Sequence, residues 1–205
     1  PESPDAIQYN FCWAPDGKRI ALISDRNGRF CTYILRLGGE NQEPEKVYEG
    51  PGPNWDVHWS PDGGYLAVVS ESRAQDRATA VIPVGENVKS GKPQLLALEG
   101  EVLNAGQVCW SPDGTRLAFS SDFHGVYEIG VFERESGEIS WLTGGSGDKG
   151  EPDWSSDSRK LAYVQSEGPD TWLVIHELDS LKSERYQIES GIHYRPRFTP
   201  DGKSV

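Results

Sequence analysis

The segment GGSGDKG, residues 144–150, holds the residues of this sequence that come nearest to a chemical motif. Ser146 has glycines around it, as a hydrolase nucleophile does in G-x-S-x-G, but the fifth position is Asp148, so the elbow pattern fails. Gly145, Gly147 and Gly150 spell G-x-G-x-x-G, the phosphate-cradling fingerprint. The next residues, EPDWSSD, do not open a helix whose N-terminus could hold a pyrophosphate, so a dinucleotide site is not expected there. His58, His124, His176 and His193 share no two- or four-residue spacing. Cys12, Cys31 and Cys109 contain no C-x-x-C and read as free, mostly buried thiols. Asp25 and Asp122, in SDRNG and SDFHG, read as turn caps, because calcium requires more oxygen ligands than either turn supplies. The expectation is therefore no catalytic residue, no metal and no cofactor in this chain.

A different kind of pattern is repeated. VCWSPDGTRLAFSSD, from Val108, recurs with drift as FCWAPDGKRIALISD from Phe11, VHWSPDGGYLAVVSE from Val57, PDWSSDSRKLAYVQS from Pro152 and PRFTPDGKSV from Pro196. Its aromatic positions, Trp13, Trp59, Trp110, Trp154 and Phe198, are 46, 51, 44 and 44 residues apart. Three residues before each stand Asn10, Asp56, Gln107, Glu151 and Arg195, all polar. Together with Trp55, which lies between Pro53 and Asp56 in a long loop, these are the candidate binding residues. They would line the mouth of a central channel or solvate a rim.

The repeat also dictates the scaffold around these residues. Pro112 presets φ, Asp113 offers acceptors to nearby N–H groups, and Gly114 supplies the left-handed residue that closes a hairpin. RIALIS, YLAVVS, RLAFSS and KLAYVQ are apolar on consecutive positions, which fits strands covered on both faces. A third strand (TYILRL, ATAVIPV, YEIGVF, TWLVIHEL) and a fourth (EKVYEG, QLLALEG, ISWLTG, ERYQIES) complete each unit. A period near 45 residues with four strands is the signature of a β-propeller blade. The expected fold is all-β, a partial propeller of four-stranded antiparallel blades over roughly 5–50, 51–103, 104–147 and 148–191, with a fifth beginning at 192–205. SLKSERYQI is expected to be strand rather than helix. The fourth unit has Ser156 and Ser158 where the others carry proline and glycine, so Ser158 takes the position that wants positive φ.

The 205 residues contain 20 Lys and Arg against 32 Asp and Glu, a net charge of −12, which argues against nucleic acid or an anionic membrane as the main partner. No run approaches the ~18 apolar residues of a spanning helix. PESPDAIQYN has neither the basic region nor the apolar core of a secretory leader, which leaves the cytoplasm as the default compartment. Methionine is absent and the C-terminus stops within a repeat, so the chain is expected to be a piece of a longer protein. Its first and last blades would then expose apolar faces suited to self-association.

The repeat WSPDG-x-x-L-A, followed by SD-x-x-G and an LT strand, resembles the propeller repeats of the periplasmic Tol-system protein. It equally resembles those of the N-terminal domains of prolyl oligopeptidase-family serine peptidases, including acylaminoacyl and dipeptidyl peptidases. GIHYRPRFTPDGKSV is similar to a late blade of the peptidase propellers. That resemblance implies a non-catalytic domain that caps an α/β-hydrolase domain and restricts which peptides reach its nucleophile. No triad residue carries over onto these positions. The Tol resemblance implies instead a scaffold for protein partners.

Overall fold

The computed structural model describes residues 7–38, 43–72, 76–86, 91–188 and 195–205. His193 lies outside them. No helix occurs among the described residues, and the chain forms two compact units, 1–104 and 105–205.

The first unit holds two blades. One is β1 (Gln8–Trp13), β2 (Arg19–Ser24), β3 (Cys31–Arg36) and β4 (Glu45–Tyr48), paired antiparallel in chain order. The other is β5 (Asn54–Trp59), β6 (Tyr65–Glu71), β7 (Arg77–Pro83) and β8 (Gln94–Leu95), and it is followed by a small hairpin of β9 (Ala97–Leu98) and β10 (Glu101–Val102). The fourth strand expected over QLLALEG is thus cut to two residues. Glu99 (φ 53°) and Gly100 (φ 88°) are both left-handed and reverse the chain in a two-residue turn. The second unit holds β11 (Ala105–Trp110), β12 (Arg116–Ser121), β13 (Glu128–Glu133) and β14 (Ile139–Trp141). Its other blade is β15 (Asp148–Trp154), β16 (Lys160–Glu167), β17 (Asp170–Glu177) and β18 (Lys182–Ile188), so SLKSERYQI does carry a strand. The fold is an all-β propeller architecture of four-stranded antiparallel sheets.

The turns of the second to fifth repeats share one design, whereas the first has Ala14 in place of the hydroxyl residue and keeps only the Asp16 Oδ1 acceptor for the Lys18 N–H (2.8 Å). Ser111 Oγ donates to Asp113 Oδ1 (2.6 Å) and accepts from the Arg116 N–H (2.9 Å), while Asp113 Oδ1 also accepts from the Thr115 N–H (2.9 Å). Ser60 with Asp62, Ser155 with Asp157 and Thr199 with Asp201 repeat the hydroxyl-to-carboxylate bond. Burial would raise the Asp113 carboxyl, but these bonds outweigh it and hold the group below the usual carboxylate range. Gly114 has φ 71°, and Ser158 takes the same left-handed conformation at φ 60°. Ser158 gains something from its side chain, since its Oγ accepts the Asp113 N–H of the preceding blade (3.1 Å).

Consecutive apolar residues in the second strands are buried on both faces, from Leu66 to Ser70 in β6 and from Leu117 to Ser121 in β12. In the first unit Ile23, Ile34 and Val47 of one blade pack with Val57, Trp59, Leu66 and Ile82 of the next. In the second, Ala118, Ile129 and Val131 pack with Trp154, Leu161 and Tyr163. Each large side chain buried this way is worth about 1.5–3 kcal/mol by area. The repeat aromatic is the wedge. Trp59 is covered by the guanidinium of Arg19, 4.7 Å from its ring centroid, and Trp154 by Arg116 at the same distance. Each arginine also reaches the next turn, Arg19 to the Gly63 carbonyl (3.2 Å) and Arg116 to that of Ser158 (2.6 Å). Among the described residues no guanidinium covers Trp13, which is 54% exposed, against 8% for Trp59 and 4% for Trp154.

Candidate functional site at the inner-strand rim

Asn10, Asp56, Gln107 and Glu151 lie within β1, β5, β11 and β15, the first strand of each blade. All four of these strands carry a β-bulge at or beside the candidate residue. The bulge adds one residue on the first strand against its partner and re-aims a side chain. Between Tyr9 and Phe11 the extra residue is Asn10 (φ 53°), and Gln107 (φ 50°) and Glu151 (φ 55°) take left-handed conformations inside the equivalent bulges. Non-glycine residues rarely adopt that geometry, and asparagine does so most readily.

The consequence is a ladder from blade to blade. Asn10 Nδ2 donates to Asp56 Oδ1 (2.6 Å) and to the Trp55 carbonyl (3.2 Å). In the second unit Gln107 Nε2 donates to Glu151 Oε1 (2.9 Å), the Glu151 N–H returns a bond to Gln107 Oε1 (3.1 Å), and Arg195 Nε lies 3.0 Å from Glu151 Oε2. The candidate residues thus fall into two sets, Asn10 with Asp56 and Gln107 with Glu151 and Arg195. Within each set they hold one another across the blade junction. Asp56 also accepts the Val57 N–H (2.9 Å) and pairs with His58 Nε2 (2.9 Å). Burial would raise its carboxyl, but the bonds from His58, Asn10 and Val57 prevail and hold it below the ordinary range.

A second row, Cys12, His58, Cys109, Asp153 and Arg197, stands one residue before each aromatic, and in the sequence it reads as no more than an ordinary polar strand position. Asp153 accepts from Arg197 Nη1 (2.8 Å) and from the Phe198 N–H (2.8 Å). Cys109 occupies the same position against Trp154, whose indole Nε1 donates to the Cys109 carbonyl (3.0 Å). Burial pushes the Cys12 thiol up to about 12 and the Cys109 thiol to about 11, with Asp56 and Asp153 adding to it. Both thiols stay protonated at neutral pH and are unsuited to nucleophilic work. Their signal in the sequence is the shared offset rather than the residue type.

Trp55 differs from the rest, and it lies in β5 rather than in the expected loop, because Asn54 before it already pairs with Ser70 of β6. In its blade the bulge lies between Asn54 and Asp56, so Trp55 itself is the extra residue, and its side chain stays 49% exposed. Its ring lies 6.0 Å from that of Tyr9, whose hydroxyl donates to the Asn54 carbonyl. Asn54 beneath it is fully buried, donating to Thr32 Oγ1 (2.9 Å) and accepting the Gly50 N–H (3.2 Å).

Other groups with chemical promise are engaged elsewhere. Ser146 Oγ donates to Glu167 Oε1 (2.5 Å) in the loop that leads into β15, where the chain continues as strand and not as helix. His124 Nδ1 lies 2.6 Å from the buried Glu128 carboxylate, and His176 Nδ1 2.8 Å from Ser183 Oγ. Asp25 does not cap its own turn by its side chain: Oδ1 accepts the Ile7 N–H (2.8 Å), while its carbonyl closes the turn onto Gly28. Among the described residues no three His, Cys, Asp or Glu side chains gather as a metal site.

No family model matches the chain. An uncharacterized protein of Agrobacterium fabrum is 28% identical over 195 residues, 94% of this chain and 62% of its own length. The uncharacterized peptidase YuxL of Bacillus subtilis is 28% identical over 152 residues, 74% of this chain and 20% of its own. Among solved structures, TolB from Acinetobacter baumannii matches with a TM-score of 0.70 at 20% identity, covering 96% of this chain and 47% of TolB. A puromycin-hydrolyzing peptidase of Mycobacterium tuberculosis matches with a TM-score of 0.71 at 17% identity, covering 92% and 30%. The chain therefore spans less than two thirds of each of these relatives, and what it shares with the solved structures is the β-propeller fold of TolB and of peptidase propeller domains.

Proposed function

We propose that this chain is the non-catalytic propeller of a prolyl oligopeptidase-like serine peptidase and that its inner-strand rim contacts peptides on their way to a hydrolase domain. The observation that carries the reading is the rim itself: a repeated row of polar side chains locked into fixed positions, with one half-exposed indole, on a chain whose glycine-flanked Ser146 is tied to Glu167. The sequence likeness to a peptidase over 152 residues supports it. A second reading, a TolB-like scaffold for protein partners, is favoured by the match of 96% of the chain to TolB.

The test is a panel of aminoacyl and prolyl substrates together with calorimetric binding of short end-capped peptides. The expected result is binding without turnover. Turnover that survives repurification and a serine-reactive inhibitor control would refute the non-catalytic role, and a failure of every peptide to bind at millimolar concentration would favour the scaffold.

A further inference from the structure

Four bulges are built into the inner strands, and three of them commit their left-handed residue to the ladder: Asn10, Gln107 and Glu151 each reach a neighbouring blade. The fourth bulge has no left-handed residue. Trp55 stands at its bulge with the indole 49% exposed. Its backbone is nonetheless fixed, by the bond from Asn10 Nδ2 to its carbonyl (3.2 Å) and by the buried Asn54 on one side and Asp56 on the other. A large apolar side chain held in water on a rigid support is an anchor in wait of a contact, and tryptophan is the residue type most used for that purpose.

The neighbouring chemistry selects what the contact carries. Asp56 is the next residue, its side chain 34% exposed, and three donors hold its carboxylate in place: Asn10 Nδ2 (2.6 Å), the Val57 N–H (2.9 Å) and His58 Nε2 (2.9 Å). An indole and a fixed carboxylate on consecutive residues each favour a cation, the one through the ring quadrupole and the other through its field. The chain's net charge of −12 draws the same class of ligand. We infer that Trp55 and Asp56 together form a subsite for a basic side chain, arginine or lysine, of a peptide lying along the rim. This rests on the reading that peptides contact the rim, and it narrows that reading to peptides with a cation at one position.

The experiment is isothermal titration of the whole chain with end-capped pentapeptides that differ only at the central residue: arginine, its neutral isostere citrulline, lysine and norleucine. The arginine and lysine peptides are expected to bind about two- to fivefold more tightly than the neutral pair, with the difference shrinking as salt is raised. Trp55→Ala is expected to lower the affinity about tenfold and to erase the discrimination, whereas Trp55→Phe keeps part of both. Circular dichroism melts of both variants establish that they fold. Peptides that bind with no preference for charge, or with Trp55→Ala unchanged, overturn the subsite while leaving the rim reading intact. Norleucine binding as tightly as arginine assigns the indole to apolar side chains and also overturns it. Binding of none of the four defeats the subsite and the peptide reading together.

Discussion

Replacing Arg116 with alanine removes two interactions that cross one blade junction. The guanidinium sits 4.7 Å from the Trp154 ring centroid, and its Nη2 donates to the Ser158 carbonyl at 2.6 Å. A partly desolvated cation–π contact is worth about 1–2 kcal/mol, and a hydrogen bond from a charged donor about 1.5–3. The distant Asp113 carboxylate, 3.8 Å away, adds nothing measurable. Allowing for overlap between the two, the loss is about 2–4 kcal/mol, or a midpoint shift of about 1–2 M for a urea slope near 2 kcal/mol/M. Urea unfolding followed by circular dichroism reads this directly. Arg116→Lys is expected to recover less than half, since an ammonium cannot stack and donate in the same geometry. Arg116→Met keeps the stem and separates packing from charge. A double-mutant cycle with Trp154→Phe isolates the stack, with an expected coupling near 1 kcal/mol. A loss below about 0.5 kcal/mol on Arg116→Ala, or Arg116→Met as stable as the parent, would refute the argument that the guanidinium seals the junction.

The turn and the outer blade give two further expectations. Gly114→Val should cost at least about 1–2 kcal/mol by thermal unfolding, because a β-branched side chain is forced to φ 71°, whereas Ser158→Gly should come out near zero. In the latter case the relief at φ 60° is offset by loss of the acceptor for the Asp113 N–H; two shifts of equal size and sign would contradict this account of the turn. His176 is buried, with no partner for Nε2 among the described residues, and burial holds its pKa below the ordinary 6.5. The unfolded chain therefore takes up a proton that the folded chain resists, so stability present above about pH 6.5 falls as pH drops through that value. His176→Gln should flatten the melting temperature between about pH 7.5 and 5.5; a parent protein that gains stability on acidification relative to the variant would contradict this.

Strand order and the turns were legible because each is encoded inside one repeat: the Pro-Asp-Gly turn and the consecutive apolar residues after it dictate a hairpin covered on both faces. The rim was legible only as a set. Asn10, Gln107 and Glu151 stood out by their offset, yet nothing in those letters announces a left-handed bulge that turns each side chain onto its neighbour, since only asparagine among them favours it. The stacking of Arg19 and Arg116 was hidden for a related reason. Each arginine begins a strand in one repeat and does its packing in the next, a relation that comparing repeats position by position does not reveal. The short hairpin after β8 escaped because Glu99-Gly100 in a run of leucines reads as a continuing strand until both residues are seen to be left-handed.

The ladder has a bearing on how such a chain can change by duplication. Asn10 and Gln107 give a side-chain proton forward, while Asp56 and Glu151 receive one. Glu151 receives on both oxygens, from Gln107 behind and from Arg195 ahead. A copied unit bearing Glu151, inserted next to its parent, would set carboxylate against carboxylate with no proton to share. One bearing Gln107 would tolerate its own twin, because an amide both gives and receives. The repeats are therefore alike in shape but not exchangeable in order, and a unit that drifts at this position constrains the drift of the two beside it.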